Sequence, residues 1–227
     1  MRINTIILLC LAVFLPLTGF AQDVNLTATY INDEGVETET QTDFAGQAPL
    51  DVSFRSNPVN MDGLSPVYEW HFQKEGEENE MMVRYEEDTQ YTFTESGTTI
   101  VTLIVKLNSD GDQLGPYTIR VTVSESKLTF PNAFSPNGDN YNPTFKPKEC
   151  QSIVEFHAYI FNRWGQKLYE WTDPNADGWD GTYNGKDVKE GTYFVYVKAR
   201  GADGREYNIR KDVNLLREFT EGTTLNE

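Results

Sequence analysis

Residues 191–197 read Gly191-Thr192-Tyr193-Phe194-Val195-Tyr196-Val197, and their alternation decides the fold. Tyr193, Val195 and Val197 recur at every second residue, the period at which a strand turns its side chains to one face. Upstream, Val154, Phe156, Ala158 and Ile160 repeat the pattern and predict a second inward face. Around these runs stand Phe134-Ser135-Pro136-Asn137-Gly138-Asp139, Ile160-Phe161-Asn162-Arg163-Trp164-Gly165 and Gly178-Trp179-Asp180-Gly181. Asn184-Gly185 and Asp203-Gly204 are hairpin signals, since both dipeptides accept positive φ. Strands are therefore expected near 128–130, 153–162, 167–171, 192–200 and 206–216.

The N-terminal half follows the same rule. Leu50, Val52 and Phe54 share a face, with Asp51 and Ser53 on the other. Val101, Leu103, Val105 and Leu107 do likewise, but Ile100 and Ile104 make the opposite face apolar too. That doubling predicts a central strand covered on both sides, or one facing a neighbouring domain. Ile119, Val121 and Val123 alternate with Thr118, Arg120 and Thr122. Trp70 reads as a core aromatic on a middle strand, and Pro49 as the entry to an edge strand. No stretch keeps a helical period over three turns. The fold class is all-β: two tandem immunoglobulin-like β-sandwich domains, 22–125 and 126–217. Ser124-Glu125-Ser126-Lys127 is the expected hinge, and 218–227 a polar tail.

Residues 1–21 read as a cleaved signal peptide. Arg2 supplies the basic start, Ile6 to Leu15 the apolar run, and Gly19-Phe20-Ala21 the small residues of a cleavage site. The run is too short for a transmembrane anchor. Leu9 stands where a lipobox needs a small residue, which argues against lipidation at Cys10. Cleavage would leave Cys150 alone, so no disulfide within the mature chain is expected. The 35 acidic residues outnumber 19 basic ones, for a net charge of −16. Such a field repels nucleic acid and anionic lipid, so neither is an expected partner. The acidic stretches Glu75 to Glu80 and Glu86-Glu87-Asp88 read as solvated faces, or as a docking surface for a basic partner.

Catalytic residues are not expected. His71 and His157 fall in separate domains, and Cys150 has no evident base beside it. Zinc-type His-Glu-x-x-His or Cys-x-x-Cys spacings and nucleophile elbows are missing from the sequence. Two other features carry chemistry. Asn137, Asp139 and the carbonyl of Tyr141 could place oxygens around a calcium ion, with Gly138 permitting the turn. The same loop also reads as an Asx turn whose side chains bond their own backbone. Arg163 and Trp164 with Trp179 and Asp180 could form a sugar-stacking platform or a cation–π pair. Against that stands a structural role, with the indoles closing the end of a sandwich. Trp164, Trp171 and Trp179 fall within 16 residues.

The ordered motifs of 134–216 resemble the gliding-motility-associated C-terminal domain, the type B sorting domain of the type IX secretion system. Its members show Gly and Asp near positions where this chain has Asn140 and Pro143, and close on a basic residue, as Leu215-Leu216-Arg217 does. In the first half, Gly46 to Phe54, then Tyr68-Glu69-Trp70-His71-Phe72, Tyr91-Thr92-Phe93 and Gly97 onward are similar to a polycystic kidney disease (PKD) repeat. His71 stands where that repeat usually has an acid. The resemblance implies a non-enzymatic protein, secreted or held on the extracellular face of the outer membrane. The type IX machinery would be its partner, and the PKD-like unit a spacer or a module for glycan or protein. The alternatives are a periplasmic or outer-membrane structural subunit that kept the fold without export, and a glycan-active enzyme.

Overall fold

The computed structural model describes residues 21–107 and 111–217. The expected tail, and all but the last residue of the expected signal peptide, lie outside the described residues. The described chain is all strand and turn, as the period-two pattern requires.

The first domain contains β1 (Asp23–Val24), β2 (Thr27–Ile31), β3 (Glu37–Thr40), β4 (Phe44–Gly46), β5 (Leu50–Arg55), β6 (Pro58–Val59), β7 (Val67–Lys74), β8 (Glu80–Arg84), β9 (Thr89–Phe93), β10 (Gly97–Lys106) and β11 (Gln113–Val123). A sheet ordered β4-β11-β10-β7-β8 packs on one ordered β3-β2-β5-β9. Inward residues of both layers, among them Phe54, Trp70, Phe72, Val101, Leu103 and Ile119, are wholly buried. Each such side chain is worth about 1.5–3 kcal/mol of burial. Phe54 sits 6.0 Å from Trp70, 5.9 Å from Phe72 and 6.4 Å from Phe93, ring centre to ring centre. The Trp70 indole N–H donates to the Glu86 carbonyl at 2.8 Å, so the buried ring leaves no donor orphaned.

Two details differ from the sequence reading. β5 is an interior strand between β2 and β9, not an edge. Pro49 is tolerated because it stands one residue before the ladder begins at Leu50. Ile100 and Ile104 are half-buried on the outer face of β10, whose place between β11 and β7 explains the doubled apolar pattern.

The second domain contains β12 (Lys127–Thr129), β13 (Ala133–Phe134), β14 (Glu149–Gln151), β15 (Ile153–Phe161), β16 (Lys167–Trp171), β17 (Thr182–Tyr183), β18 (Lys186–Asp187), β19 (Gly191–Gly201) and β20 (Glu206–Leu215). Its long sheet is ordered β13-β20-β19-β15-β16. The opposite layer is short: the β12–β14 ribbon, the β17–β18 hairpin and the loops between them. Asn184 (φ 51°) and Gly185 (φ 72°) make the β17–β18 turn, and Gly204 (φ 77°) helps turn β19 into β20. Tyr193, Val195 and Val197 face inward as expected. Val154 does not join Phe156, Ala158 and Ile160. A register shift between Ile153 and Glu155 turns it out of that core, and it packs against the core of the first domain.

The segment read as a hinge is tied down. Ser126 is buried, and its hydroxyl donates to Asp203 at 2.6 Å and lies 2.9 Å from the Tyr207 hydroxyl. Ser152, in the left-handed region at φ 46°, lies beneath the joint. Its hydroxyl accepts the Ala48 N–H at 3.2 Å and meets the Ser124 hydroxyl at 2.8 Å. The Ala202 side chain enters the first core while its carbonyl accepts the Ser96 N–H at 3.0 Å. A Cβ on Gly201 would fall 2.1 Å from the Ser126 oxygen, so only glycine lets the strands approach this closely.

Ser152→Ala deprives the buried Ala48 N–H of its acceptor, and is expected to cost about 1–3 kcal/mol. Calorimetry should show the two domains melting less cooperatively than in the wild type. Asp203 is held below the ordinary carboxylate range, first by the Ser126 hydroxyl bond and then by the Arg205 and Ser126 N–H groups, while its burial opposes them. The unfolded chain therefore takes up this proton more readily. The stabilisation is full above the unfolded value of about 3.9 and is lost as pH falls through the folded one. Asp203→Asn should lower stability at neutral pH and flatten that part of the acid-unfolding profile.

Candidate functional site

The hairpin joining β15 to β16 is built by Asn162 and Gly165. The Asn162 N–H donates to the Gln166 carbonyl at 3.0 Å, and the Gly165 N–H to the Asn162 carbonyl at 3.0 Å. The Asn162 side-chain oxygen accepts N–H groups from both Trp164 and Gln166 at 3.0 Å. Gly165 stands at φ 81°. The two residues between them make none of these side-chain bonds. Trp164 is 76% exposed, and the Arg163 guanidinium lies 4.3 Å from its ring centre. An adjoining groove of about 660 Å³ is lined by Trp164, Leu168, Tyr183, Val188, Lys189 and Phe194.

Trp179 and Asp180 do not join this site. Trp179 is wholly buried, in edge contact with Tyr193 at 5.0 Å and tilted against Phe134 at 5.3 Å. Its indole N–H donates to the Thr182 carbonyl at 2.8 Å. Asp180 accepts the Thr182 N–H at 2.9 Å and its hydroxyl at 2.8 Å. Trp171 is buried as well. Of the three clustered tryptophans, Trp164 alone faces solvent.

The loop 137–142 is closed by a bond from the Ser135 N–H to the Asn142 carbonyl at 2.8 Å. The Asn137 side-chain oxygen accepts the Asp139 N–H at 3.1 Å, and Asp139 accepts the Tyr141 N–H at 2.8 Å and the Asn137 amide at 2.7 Å. In this conformation the Asp139 carboxylate is engaged within its own loop, the geometry of an Asx turn. Among the described residues, no three His, Cys, Asp or Glu side chains gather as a metal cluster.

The imidazoles stay in separate sheets. His71 pairs with Glu80 at 2.9 Å, and His157 with Glu170 at 2.6 Å. Burial pushes the Cys150 thiol up, and the charge of Asp173 adds to the effect.

The outer face of the long sheet carries an aromatic row that the inward period-two pattern does not single out. Tyr159 stands across from Tyr196, and Phe161 from Phe194. His157 stacks on Tyr159 at 4.4 Å, and Tyr159 on Tyr196 at 6.2 Å. Lys167 lies over Tyr159, while Lys198 and Arg210 lie over Tyr196. The signal was present as aromatics at the alternate positions of β15 and β19, opposite the inward set.

Residues 128–211 match a family described as the CHU_C type IX secretion signal domain. No curated protein matches the chain. Among solved structures, the chain is similar to the FN1–FN3 domains of chicken CNTN1, at 10% identity, covering 83% of this chain and 76% of that one with a TM-score of 0.27. It is also similar to a tetra-tandem repeat in the extending region of a large adhesion protein, at 11% identity, covering 86% and 68% with a TM-score of 0.27. Residues 128–211 of the second domain are thus similar to a type IX secretion signal domain, here on an all-β scaffold. The match bears on export, toward the cell surface or the medium, and on the type IX machinery that reads such signals.

The two tryptophans should respond oppositely to truncation. Trp179→Ala is expected to cost about 3–5 kcal/mol, the scale for a buried indole. Trp164→Ala should change stability by no more than about 1 kcal/mol. Denaturant unfolding of both variants measures the contrast.

Proposed function

We propose that this is a non-enzymatic protein displayed on the cell surface or released from it. Its second domain is the address read by the type IX machinery. Its PKD-like first domain is a spacer or an interaction module. The match of residues 128–211 to the secretion signal family carries this reading. Two features of the structure support it. Each imidazole is engaged by a glutamate on its own sheet, far in the topology from the other. The charge is also divided sharply between the domains. Residues 23–125 hold 20 carboxylates against 5 Lys and Arg, whereas residues 126–217 hold 12 against 13. The first domain therefore repels other acidic surfaces and suits a basic partner, while the second is nearly neutral.

The test uses the full chain, expressed in a host with an intact type IX system and in the same host with that system disrupted. With the machinery, the protein should be found in the medium or be open to added protease on intact cells. Without it, the protein should stay in the periplasm. Periplasmic retention in both hosts would favour a structural subunit that is not exported.

A further inference from the structure

Asn162-Arg163-Trp164-Gly165 divides into residues that build a turn and residues that ride on it. The first domain contains the same turn at Asn32-Asp33-Glu34-Gly35. There, Asn32 accepts the N–H groups of Glu34 and Val36 at 3.0 Å, and its own N–H donates to the Val36 carbonyl at 2.9 Å. The Gly35 N–H returns to the Asn32 carbonyl at 2.9 Å, and Gly35 stands at φ 76°. These four bonds match four made by Asn162 and Gly165. The two middle positions of that copy hold Asp33 and Glu34, both exposed. The turn therefore asks nothing of its middle residues. Two acids satisfy it as well as an arginine and a tryptophan.

Exposing an indole has a cost that the fold does not require here. Trp164 stays out of the second core, in which Trp171 and Trp179 are buried. Arg163 is exposed too, and among the described residues it forms no ion pair, in a chain of net charge −16. Stacking against the indole holds the guanidinium over the ring and leaves its fork of N–H donors free. The hairpin beneath is fixed by its own hydrogen bonds, so the pair is presented in one place. The groove beside it adds one cation and one anion, Lys189 and Glu190, and an apolar floor of Leu168, Val188 and Phe194. A flat aromatic and a planar cation on a rigid turn make the kind of anchor that dominates protein interfaces.

We propose that Arg163 and Trp164 are the contact by which the export machinery reads the second domain. The inference rests on the export reading above and assigns that reading to two side chains. The partner is a surface of a type IX component that offers a carboxylate to Arg163 and an apolar bed to the indole. Charge complementarity favours it. Among the described residues, Arg163 stands without an ion pair at the hairpin tip, whereas its neighbour across the turn, Lys167, is held by Glu170. Sugar stacking on the same indole is the competing occupant, and the experiment separates the two.

Full-length wild type, Trp164→Ala, Trp164→Phe, Arg163→Lys and Arg163→Glu are expressed in the type IX host, and the surface-plus-medium fraction is measured against the periplasmic one. Trp164→Ala and Arg163→Glu should lower the exported fraction about tenfold, the scale of losing an interface anchor. Trp164→Phe and Arg163→Lys should fall between them and the wild type. Thermal melts of the purified proteins, together with total cellular amounts, separate misfolding from misreading. If Trp164→Ala proves unstable, the charge reversal at Arg163 decides. Export of a folded Trp164→Ala or Arg163→Glu protein at the wild-type level overturns the inference while leaving the proposed function standing. Wild-type export in the host with disrupted machinery overturns both. Normal export of the variants with loss of polysaccharide binding would assign the indole to sugar.

Discussion

The second domain depends on a backbone bridge between Phe145 and Trp179. The Phe145 N–H donates to the Trp179 carbonyl at 2.8 Å, and the Trp179 N–H returns to the Phe145 carbonyl at 3.0 Å. Both residues are wholly buried. Such a bridge is needed because the long sheet faces no comparable second sheet. Its inward row is covered by two short ribbons and by loops, and loops do not stay on a core without something to hold them. The buried backbone groups would otherwise lack partners. Gly178, at φ 81°, makes the bridge possible. A Cβ there would sit 2.4 Å from the Phe145 carbonyl oxygen. With the bridge in place, Trp179 lies tilted against Phe134, which meets Phe145, and Phe145 in turn stacks on Phe130.

The same domain is constrained at its other end by the joint with its neighbour. Ala202 lies in the turn after β19, yet it belongs to the core of the first domain. Ser152 precedes β15 and bridges Ala48 and Ser124. The two ends of the domain therefore have separate duties. The turn at 201–205 and the start of β15 meet the first domain, while the far end of β15 carries the Arg163–Trp164 turn. β15 runs between them. An acidic first domain is held at one end of the domain, and the unpaired Arg163 is displayed at the other.

Much of this was legible in the sequence because strands advertise themselves by a period of two. The inward sets of β5, β10, β11 and β19 were read directly, and so were the Asn-Gly and Asp-Gly corners. Val154 was misplaced because a bulge breaks the period without changing composition. Pro49 was assigned to an edge because the order of strands in a sheet is set by distant pairing, which no local pattern contains. The joint was illegible for a similar reason. Ser152 and Ala202 are small residues in turns, and only the approach of a second domain gives them partners. The outer aromatic rows of β15 and β19 were visible as letters, but cross-strand register alone puts Tyr159 beside Tyr196.

The tryptophans show why residue type alone could not locate the site. Trp164 and Trp179 both precede a residue of a glycine-containing turn, and both read as platform or plug. Their fates differ because of what each turn uses. In 178–181 the glycines flank the indole, and Asp180 rather than the aromatic binds the turn backbone, so the ring is free to swing into the core and its N–H finds Thr182. In 162–165 the turn is completed by Asn162 and Gly165, at the tip of a hairpin that extends beyond the covered part of the sheet. The ring stays outside the core, 76% exposed. An indole placed there lines the groove beside the hairpin, with its own arginine over the ring and the rest of its surface open to whatever approaches from outside.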